Sequence, residues 1–187
     1  MQERSVVLKS LPIKDKEQEK DFEYELQERD YRVHVFYKLG SRTGFRQGDL
    51  LLLRVRDVKD KKTLGLTEQK TGRYREVPIP VEVRKLLVKY IKDMKENDYL
   101  FQSTRKKKKP MDYTSIYKIM RECGEAVGLE QVGTHTMRQT YGYRIFMATG
   151  SIGEAQLLLG HRNVRDTEKY IGADENHIAK ITRKVFG

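Results

Sequence analysis

Apolar residues recur along most of this chain at intervals of three to four positions, which is typical of helices with one buried face. In residues 81–94, for example, Leu86, Leu87, Tyr90 and Ile91 fall on one side. Related patterns predict helices at 14–28, 31–39, 46–54, 113–127, 134–150, 151–159 and 164–170, and in a tail that begins near Asp174. The first of these has few apolar residues, so we expect it to be a solvated helix.

Residues 55–80 break the helical pattern. Short apolar segments separated by turn residues predict strands at 55–58, 63–66 and 75–79, and Gly72 marks a hairpin between the last two. Lys70 would lie near the tip of that hairpin. We therefore expect an α+β fold that is mostly α-helical and contains a small three-stranded antiparallel sheet.

A helix start near residue 134 would place two candidate functional residues together. Thr134 is a suitable N-cap for a helix that would end near Gly150. His135 and Arg138 would then share one face at the positive end of the helix, where backbone N–H groups favour a phosphate. The ordinary alternative is that His135 caps a surface helix and Arg138 pairs with a carboxylate.

The following helix has clear signals at both ends. Ser151 and Glu154 match a capping box, and Gly160 would stop the helix. His161 comes directly after it and would either cap the helix end or donate a hydrogen bond to a phosphate oxygen. Tyr170 follows nine residues later. It is one of eleven tyrosines, so residue type alone does not distinguish a nucleophile from a core tyrosine.

Two more cations come earlier in the chain. Arg46 follows a Thr-Gly pair at a helix start, and Asp49, one turn further on, could hold its guanidinium. Lys70 could reach over a bound duplex and protonate a leaving oxygen. A phenol has an ordinary pKa of about 10, so Tyr170 would need such cations to ionise at neutral pH. Each residue has an ordinary surface or core alternative, but the ordered set offers a nucleophile, an acid, a base and several cations.

The charge balance favours a polyanionic partner. Lys and Arg number 38 against 27 Asp and Glu, which gives a net charge of +11 and a pI near 9.6. Nucleic acid is the leading candidate partner for so basic a domain. One basic run is expected to follow the phosphate backbone, with a solvated loop as its alternative: Arg105, Lys106, Lys107, Lys108 and Lys109.

Other function classes receive no support from the composition. No apolar run approaches the roughly 20 residues of a membrane-spanning helix. The single cysteine, Cys123, excludes a disulfide framework, and the four histidines lack metal-binding spacing. We therefore predict no metal site and no cofactor. The first residues do not form a signal peptide, and we expect a cytoplasmic, DNA-associated protein of bacterial or archaeal origin.

Five segments together resemble the catalytic domain of the tyrosine recombinases, the phage integrase family. Residues 43–51, TGFRQGDLL, resemble the first arginine motif, with Asp49 in the place of its acidic residue. Residues 70–79 resemble the lysine-bearing hairpin. Residues 135–140, HTMRQT, are similar to the His-x-x-Arg box, although Gln139 stands where a histidine is common. Two short segments complete the pattern: LLGH at 158–161 and TEKY at 167–170.

The resemblance implies a DNA breaking-rejoining fold and an active site of six residues: Arg46, Lys70, His135, Arg138, His161 and Tyr170. It implies a site-specific recombinase or integrase that cleaves and rejoins DNA through a 3′-phosphotyrosine bond, without metal or ATP. Double-stranded DNA would be the partner. Type IB topoisomerases share this chemistry, and a non-catalytic DNA-binding module is the other alternative.

The resemblance also carries expectations about organisation. Residues 1–187 would be a single catalytic domain, lacking the N-terminal domain that clamps the other face of the DNA, and we expect excision from a longer protein. The full protein would act as a homotetramer on DNA, and the isolated domain could be a monomer. The tail helix at 174–187 would dock on a neighbouring protomer or fold back on its own domain.

Overall fold

A computed structural model of the chain describes residues 10–105, 108–161 and 164–171, together with Arg183 and Phe186; for a few residues of the last helix, Tyr170 among them, only the backbone is described. The α-helices in this part of the chain are α1 (Lys16–Arg29), α2 (Tyr31–Thr43), α3 (Gln47–Leu51), α4 (Val81–Tyr90), α5 (Tyr113–Ala126), α6 (Thr136–Thr149), α7 (Ile152–Leu159) and α8 (Val164–Ile171). A hairpin of two strands, β1 (Thr63–Thr67) and β2 (Tyr74–Pro78), lies between α3 and α4.

The first helix has a buried face despite its high charge. Asp15 caps α1 by accepting a hydrogen bond from the backbone N–H of Gln18, at 2.8 Å. Phe22 and Leu26, four positions apart, are fully buried, and the ring of Phe22 packs edge-on against Tyr37 with centroids 5.1 Å apart. The helix was predicted correctly, but it is not simply solvated, since two apolar residues on one face are enough to fix it to α2.

The sheet has two strands rather than the predicted three. β1 and β2 pair antiparallel, with Leu66 opposite Arg75. The predicted strand at 55–58 is wrong: Val55–Asp57 form a 3₁₀ helix. The carboxylate of Asp57 accepts a hydrogen bond from the backbone N–H of Arg54 at 2.7 Å, and this local bond closes a turn where an extended strand was expected.

Helix α6 begins at Thr136, two residues after the predicted N-cap. Thr134 is not the cap, because its hydroxyl donates to the phenol oxygen of Tyr113 at 3.0 Å. The hydroxyl of Thr136 instead accepts from the backbone N–H of Gly133, also at 3.0 Å, and His135 takes the N-cap position. The predicted end is confirmed, since Gly150 adopts a left-handed conformation with φ 72°.

The predicted boundaries of α7 are confirmed. The hydroxyl of Ser151 accepts from the backbone N–H of Glu154 at 3.2 Å, and Gly160 ends the helix with φ 64°. Only this half of the predicted capping box forms, because the backbone N–H of Ser151 donates to the hydroxyl of Thr149 at 3.1 Å and not to Glu154. α6 packs against α2, α7 and α8. Arg138, in the first turn of α6, donates to the carbonyl oxygens of Gly44 and Leu159, which places the N-terminal end of α6 beside the C-terminal ends of α2 and α7. No helix among the described residues is long and apolar enough to cross a membrane.

The burial of His34, on α2, should make the free energy of unfolding depend on pH. Its side chain is 7% exposed, and its Nδ1 has no hydrogen-bond partner within the described part of the chain. Burial, and secondarily the charge of Lys38, lowers the pKa of His34 to about 4. The unfolded chain binds a proton near the ordinary histidine value, so the free energy of unfolding should be highest above about pH 6.5 and fall by about 2–3 kcal/mol towards pH 4.

Urea denaturation of the wild type and of His34→Leu across this interval measures that contribution. The variant should lose less free energy of unfolding between pH 7 and pH 4.5 than the wild type does, because the leucine cannot take up a proton. Equal losses in the two proteins would assign the acid sensitivity to other groups.

Candidate active site

Arg46 begins the site at the junction between α2 and α3. Gly44 ends α2 with φ 67°, and a Cβ at this position would lie 2.4 Å from the ring of Tyr141, so only glycine fits. Two residues later Arg46 occupies the N-cap position of α3 in an extended conformation. Its Nη1 lies 2.7 Å from Oε2 of Glu68, which is the last residue before the hairpin turn.

Glu68 is a buried carboxylate at the centre of the site, and its side chain is 2% exposed. It accepts a hydrogen bond from the hydroxyl of Thr71 at 3.0 Å, and its Oε1 lies 3.6 Å from both Nε of Arg75 and Nη1 of Arg138. Burial alone would raise the pKa of Glu68, but the ion pair with Arg46, with help from Thr71 and Arg138, lowers it below its ordinary value. The carboxylate is therefore charged at neutral pH.

Arg138 is almost completely buried, at 2% exposure. Its guanidinium donates to two backbone carbonyl oxygens, those of Gly44 at the end of α2 and of Leu159 at the end of α7. One side chain thus joins the segment that precedes Arg46 to the segment that precedes His161. The planar, multi-donor guanidinium suits this bridging position in a way that a lysine could not.

Arg75, on β2, makes a second bridge beside the first. Its Nη1 donates to the carbonyl oxygens of Thr43 at 3.2 Å and Leu158 at 2.8 Å, and its guanidinium lies 4.0 Å from the ring centroid of Phe45. Burial and then the positive charge of Arg138 lower the pKa of Arg75 to about 10, so it stays protonated at neutral pH. The hairpin is thereby held against the ends of α2 and α7.

Lys70 lies on the hairpin turn and is exposed, as the sequence predicts. The turn is closed by the backbone carbonyl of Glu68, which accepts from the N–H groups of Thr71 at 3.3 Å and Gly72 at 2.8 Å. Asp49 binds to this turn and does not pair with Arg46. Its Oδ1 accepts from the backbone N–H of Gln69 at 3.0 Å, whereas the carboxylate paired with Arg46 in the described structure is Glu68.

The predicted role of Asp49 as the partner of Arg46 is therefore wrong in its geometry. Asp49 and Arg46 sit at the start of the same short helix, but the Arg46 side chain is directed at the hairpin. Asp49 fixes the residue next to Lys70 instead, so it still acts on the site.

His135 lies close to three of the predicted cations. Its ring is exposed at the start of α6. Partial desolvation, followed by the positive charges of Arg138, Lys70 and Arg46, lowers the pKa of His135 below its ordinary value. Four of the six predicted residues are therefore near one another, and the imidazole is mainly neutral at pH 7, the form that can accept a proton.

His161 joins this group to α8. It follows Gly160, where a Cβ would lie 3.9 Å from Oε2 of Glu68. The Nδ1 of His161 lies 3.0 Å from the hydroxyl of Thr167, a fully buried residue of α8. Tyr170 is one turn further along α8, and its side chain lies outside the described part of the structure.

Two other predicted features are described only in part. In the basic loop, Arg105, Lys108 and Lys109 are exposed, and Lys106 and Lys107 lie outside the described residues. The predicted tail helix at 174–187 also lies outside them, apart from the two single positions given above.

Sequence reasoning missed three residues of the site: Glu68, Arg75 and Thr167. The first two fall within segments that had been assigned to the hairpin, but no local spacing distinguishes them from its other charged residues. Thr167 offered a weak signal, since it lies three positions before Tyr170 and therefore on the same side of a helix.

The cluster converges on a space suited to an anion. The charges of Arg46, Arg138 and Lys70 all act on His135, and Gly160, just before His161, lies near Glu68. Cations in a fixed position stabilise the charge that develops when a phosphodiester is attacked. The fold and this site define the catalytic domain of a tyrosine recombinase, a class of enzymes that break and rejoin DNA strands.

The chain belongs to the phage integrase family, whose model matches residues 15–177. It is 38% identical over 176 residues to the probable integrase/recombinase YoeC of Bacillus subtilis, covering 94% of this chain and 96% of that protein. It is 29% identical to the tyrosine recombinase XerA of Saccharolobus solfataricus, covering 68% of this chain and 41% of that protein.

Solved structures share the fold. A crystal structure of XerA recombinase superposes with a TM-score of 0.77 at 22% identity, covering 96% of this chain and 65% of that one. The structure of XerH recombinase bound to its difH substrate after cleavage superposes with a TM-score of 0.71 at 18% identity, covering 94% of this chain and 53% of that one. The chain thus spans nearly all of YoeC but about half of several Xer relatives and of the XerH chain.

Proposed function

We propose that Tyr170 attacks a scissile DNA phosphate through its phenol oxygen. The new bond joins that oxygen to phosphorus, the bond from phosphorus to the 5′-oxygen breaks, and the products are a 3′-phosphotyrosine and a free 5′-hydroxyl. His135 accepts the proton of the phenol, and Lys70 donates a proton to the departing 5′-oxygen. Both transfers fit general acid–base catalysis, since His135 is mainly neutral and Lys70 is exposed on a turn near enough for its charge to act on His135.

Arg46, Arg138 and His161 stabilise the charge on the non-bridging oxygens. The observation that carries this proposal is the meeting of Arg46 and Arg138 at one carboxylate: both approach Glu68, at 2.7 Å and 3.6 Å, although they lie 92 positions apart in sequence. Two guanidinium groups held so close together can bind the same phosphate. Fixed charges of this kind usually contribute the largest share of rate enhancement.

The phosphotyrosine conserves the energy of the original bond, so the 5′-hydroxyl of a second strand can reverse the reaction and rejoin the DNA. Exchange between two duplexes requires four such sites, and we propose a homotetramer on DNA. Double-stranded DNA as the partner is supported by the net charge of +11 and by the solved structures of XerH and lambda integrase, which are bound to their DNA sites.

The test is formation of a covalent adduct in EDTA. The protein is mixed with nicked duplexes that carry the flanks of its own genetic element, and adducts that resist SDS are resolved on gels. Label on the strand 5′ of the cleavage point should move with the protein, because the phosphotyrosine is at the 3′ end. If instead a label on the strand 3′ of the cleavage point moved with the protein, the proposed 3′-phosphotyrosine linkage would be rejected.

Two parallel outcomes distinguish the alternatives. Relaxation of any supercoiled plasmid by a monomer, without strand exchange, would favour a type IB topoisomerase. Binding to all duplexes without an adduct would favour a non-catalytic module.

The basic loop is proposed to contact the DNA backbone. Replacing its five cations, residues 105–109, with glutamine should weaken binding to any duplex and flatten the dependence of the binding constant on salt. The log–log slope should fall by up to about 0.9 for each phosphate that the loop no longer neutralises. Replacing the three exposed lysines of 59–62 with glutamine provides a control on another segment, and its effect on the slope is compared per charge removed. An unchanged slope in the loop variant would show that the loop remains in solvent.

A further inference from the structure

We propose that Glu68 is a positioning residue of this active site, a resident counter-anion that holds the arginines in place and sets the charge of the phosphate pocket. The inference rests on the proposed function, because it concerns the same phosphate. Glu68 itself does not contact the reacting atoms.

The position of Glu68 is the first argument. It lies against every segment that supplies a cation: Arg46 ahead of α3, Arg138 on α6, and Gly160 just before His161. It lies two residues before Lys70 on the hairpin. A single buried carboxylate therefore fixes the mutual placement of elements that come from four separate parts of the chain.

The bonding of the carboxylate is the second argument. Oε2 is occupied by Arg46 and by the hydroxyl of Thr71, whereas Oε1 is buried without a hydrogen bond and faces Arg75 and Arg138 at 3.6 Å. A buried charge without cations nearby would be strongly destabilised. Glu68 can remain charged in this buried position because three guanidinium groups lie around it.

The charge of the cluster is the third argument. The three guanidinium groups and the single carboxylate leave two positive charges. A phosphodiester carries one negative charge, and attack by a phenolate gives a pentacoordinate transition state with two. Lys70, on the hairpin turn, adds a further positive charge, so the pocket favours the doubly charged transition state over the singly charged diester, which is the condition for lowering the barrier.

Glu68 counteracts the electrostatic repulsion among the three arginines. The charges of Arg138 and Arg46 both contribute to the lowered pKa of Arg75, while Glu68 acts in the opposite direction. Without the carboxylate, the three groups would move apart, and Arg46 is the one with most freedom, since its side chain is 20% exposed.

The experiment compares Glu68→Gln with Glu76→Gln, which removes an exposed carboxylate from the same hairpin. Two quantities are measured: the affinity for the nicked duplex that gives the wild-type adduct, and the single-turnover rate of adduct formation at saturating protein. Glu68→Gln should bind DNA at least as tightly as the wild type, because the pocket gains positive charge, yet cleave at least tenfold more slowly. Glu76→Gln should match the wild type in both.

Thermal melting identifies a merely structural role. If Glu68→Gln lost binding and cleavage together, in proportion to a lower Tm, the inference would be overturned, as it would by an unchanged cleavage rate. If Glu68→Gln does not fold, Glu68→Asp keeps the charge but withdraws it from Arg46 by one methylene, and slower cleavage with wild-type binding is again expected. If Glu68→Asp reduced the DNA affinity and the cleavage rate equally, the proposal would again be rejected.

The same assay separates this inference from the proposed function. Absence of an adduct from the wild type would overturn the proposed function and this inference with it. A normal wild-type adduct with full-rate cleavage by Glu68→Gln would overturn the inference alone.

Discussion

Tyr170→Phe should abolish the SDS-resistant adduct and leave the affinity for duplex DNA unchanged. The substitution removes only the phenol oxygen, which is the atom proposed to form the bond to phosphorus. The aromatic ring remains, so we expect no change in α8, which packs against α6 and α7. Gel analysis of adducts and fluorescence anisotropy with the same labelled duplex measure the two effects.

Tyr141 provides the matched control. It is half-buried next to Gly44, close enough to Arg75 and Arg138 for their charges to act on it. Burial nevertheless raises the pKa of Tyr141 above its ordinary value, so its phenol stays protonated and is a poor nucleophile. Tyr141→Phe should keep the adduct. An adduct that survives Tyr170→Phe and disappears in Tyr141→Phe would transfer the nucleophilic role to Tyr141.

Arg138→Met should damage both stability and cleavage. The substitution leaves the carbonyl oxygens of Gly44 and Leu159 without their donor and removes one cation from beside Glu68. Breaking a buried ionic group in this way costs about 3–5 kcal/mol of unfolding free energy. Loss of a charge that stabilises the transition state should slow cleavage by roughly a hundredfold or more.

Arg144→Met separates the two effects. Arg144 lies on the same helix, donates to the carbonyl oxygen of Lys14 and pairs with the buried Glu19 at 2.9 Å, well outside the proposed site. It should lose stability but cleave normally at a temperature where urea denaturation shows both variants to be folded. Cleavage at the wild-type rate by folded Arg138→Met would remove Arg138 from the mechanism.

The sequence predicted the helices better than it predicted the contacts between them. Ser151 and Gly160 are local signals and were interpreted correctly, because a cap depends on residues within one turn. The strand predicted at 55–58 failed for a local reason as well: Asp57 bonds to the backbone three residues earlier, and a pattern of apolar residues does not reveal that competition.

The partner of Arg46 could not be predicted in the same way. Asp49 was the nearest acidic residue in sequence, whereas Glu68 reaches Arg46 only after the hairpin folds against α2. The bridges made by Arg75 and Arg138 have the same origin, since each joins segments that lie far apart in the chain. Such contacts follow from tertiary packing, which no short motif encodes.

Arg75 and Arg138 both face the carboxylate of Glu68, but every hydrogen bond described above for their guanidinium groups goes to a main-chain oxygen. The orientation of the two guanidinium groups therefore does not depend on which side chains occupy positions such as Thr43 and Leu158, provided that the backbone conformation is unchanged. An insertion of even one residue near the ends of α2 or α7 would move these carbonyl oxygens and displace both guanidinium groups, whereas a substitution at the same positions would leave the acceptors in place.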